Sequence, residues 1–157
     1  MAVLLVQSCS KSKAETEARL PALDLYSGYF FKIIKKSMRE GEFDEQIDIA
    51  ILSAEHGLVT GSTEIGWYDR RMDAKRAAEL APEVKTGLRE RADSYENIVI
   101  NTGSIYQQAI EPVPSEIKSD VYRIEGDGIG EKGSVLKRLV RGKLDLDSAT
   151  NLVKYSS

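Results

Sequence analysis

Ile47-Asp48-Ile49-Ala50-Ile51-Leu52-Ser53-Ala54-Glu55-His56-Gly57 passes directly from an apolar, β-branched run into a polar cluster. Its centre, Ile49-Ala50-Ile51-Leu52, lacks the apolar–polar alternation of a half-exposed strand, which is the mark of a strand covered on both faces. Two further runs share this character, Val3-Leu4-Leu5-Val6-Gln7 and Asn97-Ile98-Val99-Ile100-Asn101, and residues 120–125 form a weaker fourth. Between them lie helical patterns. Residues 26–39 carry Tyr26, Tyr29, Phe30, Ile33, Ile34 and Met38 at three-four spacing, with Gly41 as a stop. Residues 72–95 repeat Ala77, Leu80, Ala81, Val84 and Leu88, and Pro82 is expected to kink that helix or start a new one. A short helix is expected over 104–110, with Ser104 and Gln107 as a capping box. An amphipathic basic helix is expected over 134–141, and a last turn or helix over 147–153.

Strands alternating with helices predict a single-domain, three-layer α/β/α fold over residues 1–157, with a mostly parallel central sheet of about four strands. The composition agrees. The chain has 157 residues, 41% hydrophobic and 30% charged, which excludes intrinsic disorder. One cysteine, Cys9, excludes a disulfide framework and a cysteine-cluster zinc site. A net charge of -3 and a pI of about 5.3 argue against a large basic footprint, while leaving room for a local basic patch. The apolar start is too short for a signal-peptide core or a membrane span, so a cytoplasmic protein without membrane contact is expected.

Each strong strand ends in polar residues: Ser8-Cys9-Ser10-Lys11-Ser12-Lys13, Ser53-Ala54-Glu55-His56-Gly57 and Asn101-Thr102-Gly103-Ser104. In an open parallel sheet, ligands bind at the carboxyl ends of the strands, so the three clusters are expected at one rim. The first, with its hydroxyls and ammonium groups, suits a phosphate or carboxylate, or is a solvated loop. Cys9 is either a nucleophile activated by Lys11 or Lys13 or, as lone cysteines more often are, a small buried side chain. His56, the one histidine, is either an acid, base or donor, or a residue fixing the turn before Gly57. Ile65-Gly66-Trp67-Tyr68-Asp69-Arg70-Arg71-Met72 offers aromatics for stacking and guanidinium groups for phosphate. Its structural alternative has Trp67 plugging the core and Asp69 or Asp73 capping the next helix. Tyr26 either lines the crevice or packs beneath it. The glycine-rich run 126–134 departs from the dinucleotide and P-loop fingerprints and reads as a flexible turn. Residues 111–119 read as a loop, and the patternless connection 55–73 is long enough to suggest a functional one.

Four motifs in order, Ser8 to Lys13, Leu25 to Phe30, Ile51 to Val59 and Ile65 to Met72, resemble a family of small uncharacterised bacterial and archaeal domains. That family carries Ser-Cys-Ser-Lys-Thr-Lys, Leu-Tyr-Thr-Gly, Leu-Ser-Ala-Lys-His-Gly-Leu-Leu and Pro-Tyr-Asp segments. The resemblance covers about the first half of the chain; Ser12, Glu55 and Trp67 stand where threonine, lysine and proline are usual. More distantly, the skeleton is similar to the YaaA peroxide-stress family, associated with DNA binding and protection from oxidative damage, and to a domain of archaeosine synthase, a tRNA-modifying enzyme. The resemblance implies a site in a nucleobase, nucleotide or nucleic-acid context.

The expected chemistry is therefore an enzyme acting on a nucleobase, nucleoside or nucleic acid, at the glycosidic bond, without metal or cofactor. Candidate catalytic residues are Asp69 or Glu55 as nucleophile or base and His56 as the orienting group or proton donor. Candidate binding residues are Ser8, Ser10, Lys11, Lys13, Tyr26, Ser53, Tyr68, Arg70, Thr102 and Ser104, with Tyr26 or Tyr68 stacking on the base. The alternative is a non-catalytic DNA- or RNA-binding module in which Arg70, Arg71, Lys132, Lys137, Arg138 and Arg141 contact phosphates.

Overall fold

The computed structural model describes residues 2–155. A six-stranded sheet runs in the order β4-β3-β1-β6-β7-β8, where β1 is Val3–Ser8, β3 Ile47–Ser53, β4 Gly57–Thr60, β6 Asn97–Asn101, β7 Asp120–Ile124 and β8 Leu152–Lys154. The four central strands are parallel, and the edge strands β4 and β8 are antiparallel to their neighbours. Strands β2 (Leu20–Pro21) and β5 (Glu64–Ile65) form a small separate ladder. The sheet is wider than the sequence pattern suggests because both edge strands are too short to carry a period. β4 begins one turn after β3, inside the supposed patternless loop, and β8 replaces the turn or helix expected over 147–153.

Alternate side chains of each central strand feed opposite cores. Leu4, Val6, Ala50, Leu52, Ile98 and Ile100 pack on α3 (Ala74–Ala92) through Leu80, Val84 and Leu88. Leu5, Ile47, Val99, Tyr122 and Ile124 pack on α2 (Tyr29–Arg39) and α6 (Gly128–Val140) through Ile34, Val135, Leu136 and Leu139. Burial on both faces explains the unbroken apolar runs. A third cluster, Leu25, Tyr26, Phe31, Ile51, Ile65 and Tyr68, seals the carboxyl end of β3.

Helix boundaries depart from the sequence pattern in instructive ways. The chain turns extended at Tyr26, so α1 (Ala22–Leu25) and α2 are separate, and Tyr29 and Met38 lie outward although their spacing suggests burial. Pro82 does not break α3. It sits on the solvent face, as does Ala78, whose carbonyl loses its partner there. Asp73 caps α3, its carboxylate accepting from the Arg76 N–H at 2.8 Å. The loop expected over 111–119 contains a short helix, α5 (Val113–Glu116), and α4 spans Ser104–Gln107. No helix among the described residues is long and apolar enough to cross a membrane.

Candidate functional site

Register brings the three polar clusters together. Ser8 pairs with Leu52 of β3, and Gln7 pairs with Asn101 of β6, so the carboxyl ends of β3, β1 and β6 lie side by side. The connection from β1 leaves through α2 on one face, and the one entering β6 arrives through α3 on the other. The crevice between β1 and β6 is therefore a topological switch point. Below it, buried Gln7 and Asn101 are joined amide to amide, Asn101 Nδ2 donating to Gln7 Oε1 at 2.8 Å.

The loop after β1 is folded against the segment leading into α2. Ser27 N–H donates to the Ser12 carbonyl at 3.0 Å, and Ser10 Oγ accepts from Gly28 N–H at 3.2 Å. A Cβ on Gly28 would lie 2.5 Å from that of Ser10, so only glycine permits the approach. Lys13 turns inward: its ammonium donates to the Lys11 carbonyl at 3.0 Å and lies 4.6 Å from the centroid of the Tyr68 ring. Lys11 is exposed. Cys9 Sγ is 3.2 Å from Tyr106 Oη, packed between two of the apolar clusters.

At the end of β3 three hydroxyls close a ring. Tyr26 donates to Ser53 Oγ at 3.1 Å, Ser53 donates to Tyr68 Oη at 3.0 Å, and the tyrosine hydroxyls are 2.6 Å apart. Cyclic donation satisfies all three buried groups without an external partner. Ser53 Oγ also accepts from the Glu55 and His56 N–H groups at 3.2 and 3.1 Å, so the ring fastens the turn that carries both candidate catalytic side chains. Burial pushes the Tyr26 phenol up to about 12, and raises Tyr68 as well, because either phenolate would be poorly solvated. Tyr26 is wholly buried and has no face to offer a base. Of the two positions open to it, it occupies the one beneath the crevice, and its expected stacking role is lost. Tyr68 is also buried, with Lys13 over its ring and the edges of His56 and Tyr26 against it.

Residues 54–56 form a three-residue hairpin loop closed by Ser53 and Gly57, with Gly57 in the left-handed region at φ +73°. His56 is exposed, its ring 5.5 Å from that of Tyr68. Glu55 faces Arg70 at 3.7 Å, and Arg70 is shared with Glu79 at 3.8 Å. The Arg70 guanidinium thus already faces two carboxylates. Arg76 holds the turn from below, donating to the carbonyls of Ala54 and Glu55 at 2.7 and 2.8 Å. Asp69 is exposed beside Tyr68. Trp67 is 51% exposed and does not plug the core; Tyr68 and Met72 do.

A cleft of about 580 Å³ opens beyond the ends of β6 and β7. Thr102 and Ser104 line it together with Arg123, Glu125, Asp127 and Lys132. Arg123 and Glu125 were missed as part of the weak strand expected over 120–125, and Asp127 because the sequence pattern reads 126–134 as a flexible turn; Lys132 was named only as a phosphate contact of the alternative binding module. In the structure α6 begins at Gly128, and Asp127 N–H donates to the Glu131 carboxylate at 3.2 Å across its first turn. Ser104 makes no capping box: Gly103 is the N-cap of α4, and Ser104 remains exposed on the cleft. Thr102 is only 5% exposed, and its Oγ1 has no hydrogen-bond partner among the described residues. Among those residues no group of three or more His, Cys, Asp or Glu side chains is spaced for a metal ion.

The molecule is thus a three-layer α/β domain with a polar rim at its switch point. It belongs to a family of unknown function (DUF6884), whose profile matches residues 3–138 and so takes in every rim residue named by the sequence pattern. No curated protein matches the chain. Among solved structures it is similar to the crystal structure of AF0587, a protein of unknown function, with a TM-score of 0.54 and 15% identity. That match covers 91% of this chain and 46% of the other, so the chain spans less than half of that protein's length, and the likeness is one of fold.

Proposed function

We propose that this domain binds a nucleobase, nucleoside or nucleotide, free or within a nucleic acid, at the carboxyl rim and acts at its glycosidic bond. The observation that supports this reading most is the register of β3, β1 and β6, with polar clusters ending three neighbouring strands at a switch point. The adjoining cleft mixes hydroxyls, amides, carboxylates and two cations, which suits a hydroxyl-rich ligand such as ribose. Ile105 and Ile129, 41% and 61% exposed in the first turns of α4 and α6, offer apolar contact beside it. With strands about 4.8 Å apart, the ends of β3 and β6 are separated by roughly 10 Å, comparable to the long dimension of a nucleoside.

In this reading Asp69 or Glu55 stabilises the positive charge that develops on the sugar as the bond to the base breaks. Water completes the sugar, and His56 delivers a proton to the departing base. Lys11, Ser8 and Ser10 face phosphate or ribose oxygens. The motif resemblance to the YaaA family and to the archaeosine synthase domain points to the same ligand class.

The test is a thermal-shift screen with nucleobases, nucleosides and nucleotides. A native-state ligand at a hundred times its Kd adds about 2.7 kcal/mol, a rise of about 5–10 °C for a chain of this size. Thr102→Val should leave the unliganded protein as stable or more so, because it removes an unsatisfied buried hydroxyl, yet diminish the shift. Asp69→Asn should abolish turnover at unchanged melting temperature. Absence of any shift across the screen overturns the binding site, and full turnover by Asp69→Asn overturns its role.

A further inference from the structure

The two helices on the face opposite α3 carry a charge pattern that the rim does not use. Helix α2 bears Lys32, Lys35, Lys36 and Arg39 and no carboxylate. Its neighbour α6 bears Lys137 and Arg138 in its last turn, with Arg141 at the C-cap. These cations gather in a protein whose net charge is -3, so the chain is electrically polarised. The helices meet at Gly133, where a Cβ would lie 2.5 Å from the Tyr29 ring; glycine lets the tyrosine lie directly on α6. The result is a groove of about 290 Å³, walled by Lys36, Lys137 and Arg141 and headed by Tyr29, which is 45% exposed. Glu40 is tied to Arg141 at 2.5 Å. Its carboxyl is held below the usual range by that bond first, and Lys36 and Lys137 lower it further, so all three cations act on one anion position. Basic residues in a last helical turn also complement the helix dipole. That accounts for cations on each helix separately, not for their convergence on a shared groove with an exposed aromatic at its head.

We propose that the α2–α6 groove docks a single-stranded nucleic acid, its phosphodiesters along Lys36 and Lys137, with Arg141 held by Glu40 at the groove wall, and one base stacked on Tyr29. A single strand offers both a phosphate track and free base faces, whereas a duplex turns its bases inward and leaves Tyr29 nothing to stack on. The inference stands on the helix face and does not depend on the rim reading.

The experiment is fluorescence anisotropy of a labelled twelve-nucleotide single strand with the full chain, titrated over a range of salt. Lys36→Glu/Lys137→Glu should weaken binding at least tenfold. Lys36→Gln/Lys137→Gln should also lower the slope of log K against log salt by about 1.4, at about 0.7 per phosphate contact. Tyr29→Leu, which keeps an apolar contact on α6, should weaken binding about tenfold. Circular dichroism and melting temperature confirm that each variant is folded, and the glutamine pair stands in if the glutamate pair fails to fold. The proposal is overturned if the wild-type chain does not bind at 50 mM salt, or if the glutamine pair binds as wild type does. It is equally overturned if a duplex, polyglutamate or an anionic phosphatidylserine vesicle binds as tightly at equal charge. Mononucleotide thermal shifts measured on the same variants report on the rim separately.

Discussion

Replacing Ser53 by alanine tests whether the hydroxyl ring organises the rim. Ser53 Oγ takes part in four hydrogen bonds: from Tyr26, to Tyr68, and from the N–H groups of Glu55 and His56. The two tyrosine hydroxyls remain 2.6 Å apart, so one donates to the other and the remaining proton loses its acceptor in a fully buried setting. An unsatisfied buried donor costs about 1–3 kcal/mol, and each of the two amide bonds, whose donors are half open to water, contributes about 0.5–1 kcal/mol net. Ser53→Ala should therefore destabilise the domain by about 2–5 kcal/mol. The assay is urea unfolding, with hydrogen exchange of the Glu55 and His56 amides as a local readout. Tyr26→Phe, which leaves Ser53 and Tyr68 bonded to each other, should cost about 1–2 kcal/mol. A loss below 1 kcal/mol in Ser53→Ala, with unchanged exchange at both amides, would refute the argument that the ring holds the turn.

Two other outcomes follow from the same geometry. The Tyr26 phenol rises from 10 to about 12 on folding, so above pH 10 the unfolded chain releases a proton that the native state retains. Stability is then full below pH 10 and falls as pH rises through 12, by about 2–3 kcal/mol for this group, and Tyr68 acts in the same direction. The urea midpoint should be level from pH 8 to 9.5 and drop beyond pH 10, and Tyr26→Phe/Tyr68→Phe should make the drop shallower, with Tyr95, Tyr106, Tyr122 and Tyr155, whose phenols burial also raises, keeping the remainder; an equally steep fall in that variant would contradict the assignment. Gly57→Ala should cost about 1–2 kcal/mol for its left-handed backbone. A methyl there also meets Glu83 Oε1 at 2.5 Å and displaces it, whereas Gly41, at φ +69° with nothing within 4 Å, has only the backbone cost. Thermal unfolding of the two alanine variants should rank Gly57→Ala below Gly41→Ala, and the reverse order would show that the hairpin tolerates side chains freely.

Much of the fold was legible because burial leaves a period in the chain. The runs at Leu4, Ile49 and Ile98 are apolar on consecutive residues because each strand is covered twice, and that alone indicates a parallel sheet with helices on both sides. Short elements leave no such trace. Strands β4 and β8, with four and three residues, owe their existence to pairing with β3 and β7. Helix α6 was half concealed because Gly126, Gly128, Gly130 and Gly133 resemble a turn. Gly133 serves instead as the contact for Tyr29.

The sequence by itself determined the order of the four central strands along the chain, their alternation with helices and the polar residues at the carboxyl ends of β1, β3 and β6. All of these are encoded by neighbours a few positions apart. Tertiary structure alone decided what each polar residue does. It turned Tyr26 inward to Ser53 and Tyr68, residues 27 and 42 positions away, turned Trp67 outward, left Thr102 Oγ1 without a partner, and aligned α2 with α6 into one basic groove. The physical reason is that a hydroxyl, a ring or an ammonium carries no directional preference within its own segment. Its role is set by whichever partner the packing of distant elements places within hydrogen-bonding or Coulombic reach.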